Sequence, residues 1–574
     1  MCCLTAHFLF LRENKRFRTM KRRLLSLALF TSALAMNAQT LENGIKLPKV
    51  WPPRQAEPTA PKEMPVPYLQ EKPEVIPINR GRQLFVDSFL IAKTNLTSVY
   101  HKATYYDMNP VLRADRKWEL TPEGYEYAAP FSDGIWYDDK DNKFKMWYLA
   151  GAGYVDTLKH SLYTCYAESF DGKHWIKPSL EIVPGTNVVD TLNRDASTVW
   201  LDRNEKDPAK RWKFFNVEYK PDYIQWQYVL KYSPDGIHWS KPVAQSGAVS
   251  DRCTAFYNPF IKKWALSMRH HCKVSWRSRA YLEHEDPEEA VSLAHRLREG
   301  VTDKHIVFWF TPDDKEKRHE RYPDVDPGIY NFDAIAYESI MLGFYSQWQG
   351  PENHIARGLM IPKRNEIMLG YSRDGFHFAR PSHQPFMPVN ETDGAWNYGN
   401  MQSVNGVPLI VGDSLYIYSS GRSRNGVWWD AGVSTGLATL RRDGFVSLHA
   451  DKKEGYVMTE KLTFDGKYFF VNADVNAKGA SLKVELLDAD GTPIPGYAKA
   501  DCIAMQGLDK TKQMIGWKTK KDVSELAGRT VRAKFYVKNG DLFAFWVSPW
   551  ASGESRGYTA GGGPGLNASG VDTK

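Results

Sequence analysis

Cysteine is scarce in this sequence, and the motifs of two common enzyme classes are absent. The chain has 574 residues and 6 Cys, and those after residue 38 show no CxxC pair and no metal-ligand spacing. They are Cys165, Cys253, Cys272 and Cys502. We expect small buried thiols, with a single Cys253–Cys272 disulfide left open as an alternative. The lack of HExxH and of a P-loop argues against zinc-protease and phosphate-loop chemistry.

The chain also lacks a basic field outside its first residues. Of the net charge of +8, residues 1–38 supply most, because they hold seven Lys or Arg and one Glu. The remaining residues carry a net charge of only +2. A charge this small gives no electrostatic footprint for nucleic acid, so we predict no nucleic-acid partner.

The apolar run near the start is too short to cross a membrane as a stable helix. Residues 20–38 read MKRRLLSLALFTSALAMNA, with a basic start, an apolar centre and a small-residue site before Gln39. This is the pattern of a secretory signal, with Met20 as the true start and residues 1–19 as an upstream extension. The mature protein is therefore predicted to be secreted or periplasmic, with no transmembrane segment after signal cleavage.

Aromatic residues, by contrast, are abundant. They make up 13% of the chain, with 19 Trp and 30 Tyr, which is typical of an all-β protein because aromatic side chains favour strands. Nine prolines between residues 48 and 77 indicate an extended linker. The Gly-rich end predicts a disordered tail. We predict the following organisation: extension and signal at 1–38, Pro-rich linker at 39–80, β-propeller at 81–440, β-sandwich at 441–550 and tail at 551–574.

Three segments of the chain repeat one turn. They are ESFDGKHWIKP (168–178), YSPDGIHWSKP (232–242) and YSRDGFHFARP (371–381). Each contains Ser-x-Asp-Gly-x-His-aromatic, and Asp-Gly makes a tight turn because glycine takes a positive φ. The recurring histidines, His174, His238 and His377, are therefore predicted to be structural. LRRDGFVSL (440–448) reads as a further, weaker copy.

Each turn follows a second repeated unit, made of an acid, an apolar strand, a polar turn and another apolar strand. The units begin near residues 133, 195, 251, 333 and 402, and the fifth lacks the leading acid. Five such units predict a five-bladed β-propeller. One helix is expected, at about 286–300. After residue 441 the strands alternate apolar and polar residues, which predicts an appended β-sandwich, with a hairpin at Asn539-Gly540.

In a propeller, the start of each inner strand and the end of the next strand reach the same face. Asp133, Asp195, Asp251 and Asp333 should therefore ring one mouth of the channel, with the second-strand ends just outside. Those ends supply Glu218, Arg269, His270, His271, Trp348 and Arg422. Glu338 aligns with turn residues, which places it on the opposite face.

Carboxylates gathered at one mouth repel each other, and partial burial disfavours their charged forms, so their pKa values should separate. Glycoside hydrolysis needs such a division between a protonated acid and an ionised carboxylate. The alternative is that each Asp caps backbone amides at a strand start. The scattered acids give no dedicated metal site and imply no cofactor, although a structural calcium ion in the channel stays open.

The Ser-x-Asp-Gly turns, one acid per inner strand, five repeats and a trailing sandwich resemble the five-bladed propeller glycosidases related to glycoside hydrolase families 32 and 43. RQLFVDSFLI (82–91) and KMWYLAG (145–151) also resemble a group of secreted proteins of polysaccharide-degrading bacteria. The resemblance covers about residues 80–550. It implies a carbohydrate substrate, with Asp133 as nucleophile or base and Asp195 or Asp251 as stabiliser. The family's acidic Glu has no clean counterpart, and its Asn-Asp-Pro-Asn and Arg-Asp-Pro signatures are absent.

The sequence thus predicts an exported glycoside hydrolase acting on a polysaccharide or its oligosaccharides. Glu218 takes the acid role by position, and Asp333, Arg269, His270, His271, Trp348 and Arg422 would bind substrate. Two alternatives stay open. One is a non-catalytic glycan-binding propeller. The other is a five-bladed glycoside phosphorylase, in which Arg269 and the histidines would hold phosphate.

Overall fold

The computed structural model describes residues 39–121, 124–151, 162–220, 225–404, 406–423 and 432–574. The predicted signal at 20–38 lies outside the described residues. The fold is mostly β, with 43% strand and 5% helix. Within the described ranges, no helix has the length and apolar character needed to span a membrane.

Five antiparallel sheets succeed one another along the chain. Sheet 1 comprises Ala128–Ala129 and Ile135–Asp138, which both pair with Lys143–Gly151, then Leu162–Ser169 and Val188–Asp190. Sheet 2 comprises Arg194–Leu201, Trp212–Lys220, Gln225–Ser233 and Ala244–Gln245. Sheet 3 comprises Thr254–Asn258, Lys263–Cys272, Ser275–His284 and Val307–Phe310. Sheet 4 comprises Tyr558–Thr559, Gly328–Glu338, Ile340–Trp348 and Asn365–Ser372. Sheet 5 comprises Leu409–Val411, Ser414–Arg422, Val433–Arg441 and Thr104–Tyr105.

The repeated turn has the same internal bonding at all three copies. In the first, the Ser169 hydroxyl accepts the N–H of Gly172 at 2.9 Å, and Asp171 accepts the N–H of His174 at 2.8 Å. The ring Nδ1 of that histidine lies 2.7 Å from the Asp171 carboxylate. The same Asp–His distance recurs in the other two copies. The structural role predicted for the histidines fits this arrangement, because each one closes its own turn.

Each turn also binds the neighbouring sheet. Tyr418 of sheet 5 donates its hydroxyl to the carbonyl of Gly172 at the end of sheet 1, at 2.5 Å. Trp147 of sheet 1 donates its indole N–H to the carbonyl of Gly236, at 2.7 Å. Trp309 of sheet 3 does the same for Phe376, at 2.8 Å. The repeated sequence is therefore the point at which one sheet is tied to the next.

The two remaining junctions complete a ring. Tyr337 of sheet 4 donates its hydroxyl to Asp443 in the weaker turn copy after sheet 5, at 2.6 Å. The segment of sheet 3 that corresponds to the repeated turn, YLEHEDPEEA (281–290), contains no glycine. Sheets 2 and 3 meet instead through the rings of Trp200 and Trp264, whose centroids are 5.8 Å apart. Every consecutive pair of sheets, including the fifth and the first, is thus in contact, which is propeller-type packing.

Two six-stranded sheets complete the β structure, and both begin earlier in the chain than predicted. Sheet 6 comprises Ile76–Pro77, Leu462–Thr463, Val531–Lys538, Gly455–Thr459, Ile91–Thr94 and Ser481–Asp488. Sheet 7 comprises Leu508–Met514, Tyr468–Val475, Gly540–Ser548, Val446–Ala450, Thr97–Tyr100 and Gln83–Leu84. Residues 76–100 therefore pair with the C-terminal strands rather than with the ring, and the predicted boundary at residue 81 is wrong.

The predicted hairpin at Asn539-Gly540 is also wrong. The two strands that flank this turn belong to different sheets, Val531–Lys538 to sheet 6 and Gly540–Ser548 to sheet 7. Asn539 has a positive φ of 49°, and the turn carries the chain from one sheet to the other. The sheets meet through aromatic rings, with Phe535 5.0 Å from Phe545. The alternation of apolar and polar residues predicts the two strands, but alternation does not say which strand pairs with which.

The Gly-rich end is ordered, in contrast to the predicted disordered tail at 551–574. Gly561 donates its N–H to the carbonyl of Pro408 at 3.0 Å and accepts the N–H of Tyr137, also at 3.0 Å. A Cβ at Gly563 would overlap the carbonyl oxygen of Ile410. Glycine is required here because the tail passes between the first strands of sheets 5 and 1 with no room for side chains.

A buried charge network joins the ring to sheets 6 and 7. Arg82 lies 2.8 Å from Asp443 and 3.5 Å from Glu338, and Arg442 lies 3.1 Å from Glu338. Ser555 of the tail donates to Glu338 at 2.6 Å. Glu338 therefore sits in a turn of positive φ, in this network, away from the acids predicted to form the site.

The helices are few and short. They are the α-helices Pro67–Gln70, Pro287–Leu293 and Asn353–Leu359, and the 3-10 helices Lys117–Glu119, Pro208–Lys210 and Ser524–Leu526. The predicted helix at 286–300 ends at Leu293, because Ala294 adopts an extended conformation. The four cysteines after residue 38 are buried free thiols, as expected, and the Cys253–Cys272 disulfide is not formed.

We predict that Gly236→Ala destabilises the protein more than Gly479→Ala. Both glycines have similar positive φ values, 81° and 77°, so alanine is strained at both. A Cβ at position 236 would meet Trp147 at 2.5 Å, whereas position 479 faces open space. The difference should be about 1–3 kcal/mol of unfolding free energy, measured by urea titration. Equal losses would contradict the role of this turn in tying the sheets together.

Candidate functional site

The four predicted aspartates lie along one connected set of contacts. Asp333 accepts a hydrogen bond from the Ser132 hydroxyl at 2.8 Å, and Ser132 directly precedes Asp133. Asp133 pairs with Arg194 at 2.8 Å, and Arg194 directly precedes Asp195. The structure therefore brings Asp133 and Asp195, near the starts of their strands, together with Asp333, which lies in the middle of strand Gly328–Glu338.

The set continues into sheet 3. Asp195 Oδ1 accepts the backbone N–H of Arg252 at 3.0 Å, and Arg252 directly follows Asp251. The order around the set is thus Asp333, Asp133, Asp195 and Asp251, one from each of sheets 4, 1, 2 and 3. Sheet 5, whose repeat lacks the acid, contributes Gly406 beside Asp333.

Asp333 is the acid most suited to holding a proton. It is 7% exposed, and burial raises its pKa to about 7, despite the hydrogen bonds it accepts. Ser132 and Asn331 both donate to Oδ2, at 2.8 and 2.7 Å. Oδ1 is therefore the oxygen left to carry the proton of the neutral form.

Asp133 is enclosed rather than open to a ligand. Its side chain is 0% exposed, and both oxygens face the guanidinium of Arg194, at 2.8 and 3.1 Å. The backbone N–H of Phe131 donates to the same carboxylate at 2.8 Å. Burial raises the pKa of Asp133 above its usual value, although Arg194 opposes the shift. This geometry holds Arg194 in place and offers no free face of the carboxylate to a sugar.

Asp195 and Asp251 are the more accessible members, with side chains 17% and 21% exposed. One oxygen of Asp195 is held by the N–H groups of Ala196 and Arg252. Asp251 forms ion pairs with Arg269 and, at 3.6 Å, with Arg277. Although burial raises the pKa of Asp251, the charges of these arginines outweigh it and hold the pKa below its usual range. Asp251 is thus ionised at neutral pH.

A group of cations surrounds Tyr330 next to these acids. The guanidinium carbon of Arg277 lies 4.1 Å from the centre of the Tyr330 ring, and that of Arg252 lies 5.1 Å from it. Lys363 donates to the Tyr330 hydroxyl at 3.1 Å, and Gln402 donates to it at 3.2 Å. Burial alone would raise the pKa of this phenol, but the charges of Lys363, Arg277 and Arg252 lower it to about 7.

Three non-glycine residues at the strand starts have positive φ. They are Ser132 at 66°, Arg252 at 58° and Asn400 at 50°. Each such backbone conformation costs about 1–3 kcal/mol and persists only where the surrounding structure holds it in place. Such positions cluster at functional sites. The strain falls beside Asp133, beside Asp251 and before sheet 5, which marks the same end of the ring as the acids.

The predicted rim residues divide into two groups. Arg269 reaches Asp251, and His271 is exposed and stacks on Trp276 with 4.3 Å between ring centres. His270, in contrast, points to the other face of its strand, where its Nε2 lies 2.9 Å from Glu57 of the Pro-rich segment. Its prediction as a substrate ligand is wrong, because side chains of a strand alternate between faces.

The other rim predictions occupy structural surroundings. Glu218 lies opposite Arg194 in the strand register and forms an ion pair with Lys220 at 2.6 Å. Arg422 is buried and donates to the Tyr127 hydroxyl at 2.9 Å. The Nε1 atom of Trp348 is buried without a hydrogen-bond partner. Oε2 of Glu218 likewise has no hydrogen-bond partner in the described part of the chain, so Trp348 and Glu218 each keep a buried polar atom that a ligand could engage.

Only some of these cations could be found from the sequence. Arg194 and Arg252 adjoin predicted acids, in the Arg-Asp pair at 194–195 and the Asp-Arg pair at 251–252. Arg277, Lys363 and Tyr330 have no predicted acid as a direct sequence neighbour, so the sequence does not mark them.

Neither a metal site nor a serine nucleophile elbow is found in the described part of the chain. Among the described residues, no group of three His, Cys, Asp or Glu side chains could hold a metal ion. A Gly-x-Ser-x-Gly sequence at 432–436 overlaps the start of strand Val433–Arg441, in which Ser434 pairs with Gly421. A nucleophilic serine of this motif sits on a strand-to-helix turn, so the string is not a nucleophile elbow.

Comparison with known proteins gives distant similarities only. No protein-family model and no curated protein matches the sequence. A glycosyl hydrolase from Bacteroides ovatus is 11% identical, with a TM-score of 0.38, and the match covers 63% of this chain and 97% of that one. The beta-1,2-mannobiose phosphorylase from Listeria innocua is 13% identical, with a TM-score of 0.37 and coverage of 59% and 96%.

An N-acetylgalactosamine deacetylase from F. plautii is 13% identical, with a TM-score of 0.36, and the match covers 61% of this chain and 96% of that one. These three structures carry three different activities. At such values of identity and TM-score, the similarities assign no activity to this chain.

We predict that Asp333 leaves a measurable signature in the pH dependence of stability. Its pKa is about 7 in the folded protein and about 3.9 in an unfolded chain. Between these values the folded state keeps a proton that the unfolded state loses, so stability falls as pH rises through this window. As pH rises through this window, the free energy of unfolding of Asp333→Asn should therefore increase relative to that of the unmodified protein, by up to about 1.4 kcal/mol per pH unit.

The measurement is a set of urea titrations between about pH 4 and pH 8. Asp107→Asn is the matched control, because it makes the same substitution at an exposed position. A constant difference between Asp333→Asn and the unmodified protein across the range would refute the raised pKa.

Proposed function

We propose that this chain is an exported glycoside hydrolase that acts on a polysaccharide or its oligosaccharides. On this proposal the ring of sheets 1–5 is a five-bladed β-propeller, and sheets 6 and 7 form a β-sandwich. The observation that carries the proposal is the set of contacts that joins Asp333 to Asp195 at one mouth, through Ser132, Asp133 and Arg194. Asp333 has a pKa of about 7, and the side chain of Asp195 is 17% exposed.

Asp333 is proposed as the general acid. Cleavage of a glycosidic bond needs a proton for the leaving oxygen, and a carboxyl with a pKa near neutrality supplies it most effectively. Asp333 can give that proton from Oδ1 while Ser132 and Asn331 stabilise the resulting charge on Oδ2. This assignment replaces Glu218, which forms an ion pair with Lys220 instead.

Asp195 is proposed as the carboxylate that acts on the anomeric carbon or on water. Its side chain is 17% exposed, whereas Asp133, the residue first expected in this role, is 0% exposed. The N–H groups of Ala196 and Arg252 fix the orientation of Asp195. Asp133 is then a positioning residue, because it acts by holding Arg194 next to Asp195.

A phosphorylase is the second candidate, and one observation favours it. Arg252, Arg269, Arg277 and Lys363 lie around Asp251 and Tyr330, and arginines of this kind bind phosphate oxygens in pairs. Such an enzyme would use phosphate where a hydrolase uses water. The proposed export argues for the hydrolase, because phosphate is scarce outside the cell.

We expect the chain from residue 39 to release sugars from at least one member of a panel of plant, algal and host glycans. The incubation is carried out in ¹⁸O-labelled water, with and without phosphate, and products are read by mass spectrometry. A hydrolase gives an ¹⁸O-labelled sugar without phosphate. A sugar phosphate formed only with phosphate would establish the phosphorylase instead. Retention of a glycan with no product under either condition would establish a binding protein.

Asp333→Asn and Asp195→Asn should each lower kcat/KM on the released glycan by about 10²–10⁴-fold. Asp107→Asn, at an exposed position outside the site, should leave kcat/KM unchanged. Unfolding midpoints of all three variants show whether a loss of activity is a loss of structure. Full activity in Asp333→Asn would remove the proposed acid.

A further inference from the structure

Four cationic side chains lie on the sheet 3 side of the mouth. Arg252, Arg269, Arg277 and Lys363 lie around Asp251 and Tyr330. Asp251 forms ion pairs with Arg269 and Arg277, and Asp195 lies 3.3 Å from the Nε of Arg252. These cations are largely enclosed, because Arg252 is 4% and Lys363 7% exposed.

Hydrogen-bonding groups in this region are left unused. Arg252 is 4% exposed, and its Nη1 has no hydrogen-bond partner among the described residues. The Nη1 of Arg277 and the Nε1 of Trp348 also lack a hydrogen-bond partner there, and both side chains flank Gly328. An unpaired buried donor costs about 1–3 kcal/mol, so each of these donors would gain from an acceptor. Two guanidinium donors and an indole N–H suit an oxyanion.

A ring-binding surface adjoins Arg269. Trp276 is 69% exposed and stacks on the ring of His271, which lies two residues after Arg269 on the same face of its strand. An exposed aromatic ring next to cationic side chains suits the apolar face of a sugar. The combination of a stacking ring and these cations fits a sugar that carries an anionic group, whereas inorganic phosphate alone would leave Trp276 without a role.

We propose that Arg252, Arg269, Arg277 and Lys363 form a subsite for an anionic sugar, which bears a carboxylate or a sulfate ester. The inference rests on the proposed function to the extent that the ligand is a glycan. Within the subsite, Arg277 and Arg252 would donate to the oxyanion, while Trp276 would stack on the sugar ring. The substrate of the enzyme would then be an acidic polysaccharide rather than a neutral one.

The test compares acidic glycans with their own neutral derivatives. Oligogalacturonate is paired with its carboxyl-reduced form, and oligosaccharides of chondroitin sulfate are paired with their desulfated form. Affinity electrophoresis and calorimetry with the full chain from residue 39 measure binding without requiring turnover. We expect at least about tenfold tighter binding of one acidic member than of its neutral derivative. The pair that shows the difference identifies the carboxylate or the sulfate.

The variants Arg277→Gln and Arg269→Gln should each remove most of that preference, because each one weakens binding of the acidic member. Arg269 is included because it lies at the rim, where substitution disturbs folding least. Arg318→Gln is the matched control, since Arg318 pairs with Asp326 on an exposed loop. Added salt should weaken the preference, because it screens partly exposed charges.

Equal binding of acidic and neutral members, or an unchanged preference in both arginine variants, would overturn the subsite. Absence of binding to every acidic member would overturn it as well. Strictly phosphate-dependent turnover of a neutral glycan would assign the same cations to phosphate and would also overturn it. The proposed hydrolase fails separately, through the absence of any released product, so the two failures can be told apart.

Discussion

The ring of sheets depends on a hydrogen bond that crosses from one sheet to the next at the repeated turn. An aromatic side chain of one sheet donates to a carbonyl in the Ser-x-Asp-Gly turn of its neighbour, as Trp147 does for Gly236. The turn needs glycine for its positive φ and for the close approach of the indole. Because the turn is itself fixed by Ser, Asp and His, the bond has a rigid acceptor. The local sequence of the turn therefore fixes the point at which neighbouring sheets are joined.

The site follows from the ring. The ring places Asp333, Asp133, Asp195 and Asp251 along one connected set of contacts, although Ser132 and Asp333 are 201 positions apart in the chain. The acids have different surroundings. Burial raises the pKa of Asp333 despite its neutral hydrogen-bond donors and Arg279, whereas the arginines around Asp251 hold its pKa below the usual range. The opposite end of the ring is occupied by the Gly-rich tail and the Glu338 network.

Some of this structure could be predicted from the sequence. The repeat gave the paired strands of each sheet, the leading aspartates and the structural histidines, because each rests on local spacing. The strands at 76–100 and the ordered tail could not be predicted, since they pair with residues hundreds of positions away. The prolines at 48–77 suggested a linker, and the glycines at 551–574 suggested a disordered end. In the structure, glycines of that end allow the chain to pack closely against neighbouring strands. His270 was misplaced because its neighbours, Arg269 and His271, face the rim and it faces Glu57.

The central claim is that Asp333 supplies the proton for glycosidic cleavage. The most direct measurement is the pH dependence of kcat/KM for two substrates of the same sugar, one with a poor leaving group and one with an activated aryl leaving group. For the first, kcat/KM should fall as pH rises above about 7, because Asp333 loses its proton there. The activated substrate needs no acid, so Asp333→Asn should still cleave it and should show no fall at that pH. A fall that is unchanged in Asp333→Asn, or equal for both leaving groups, would contradict the account.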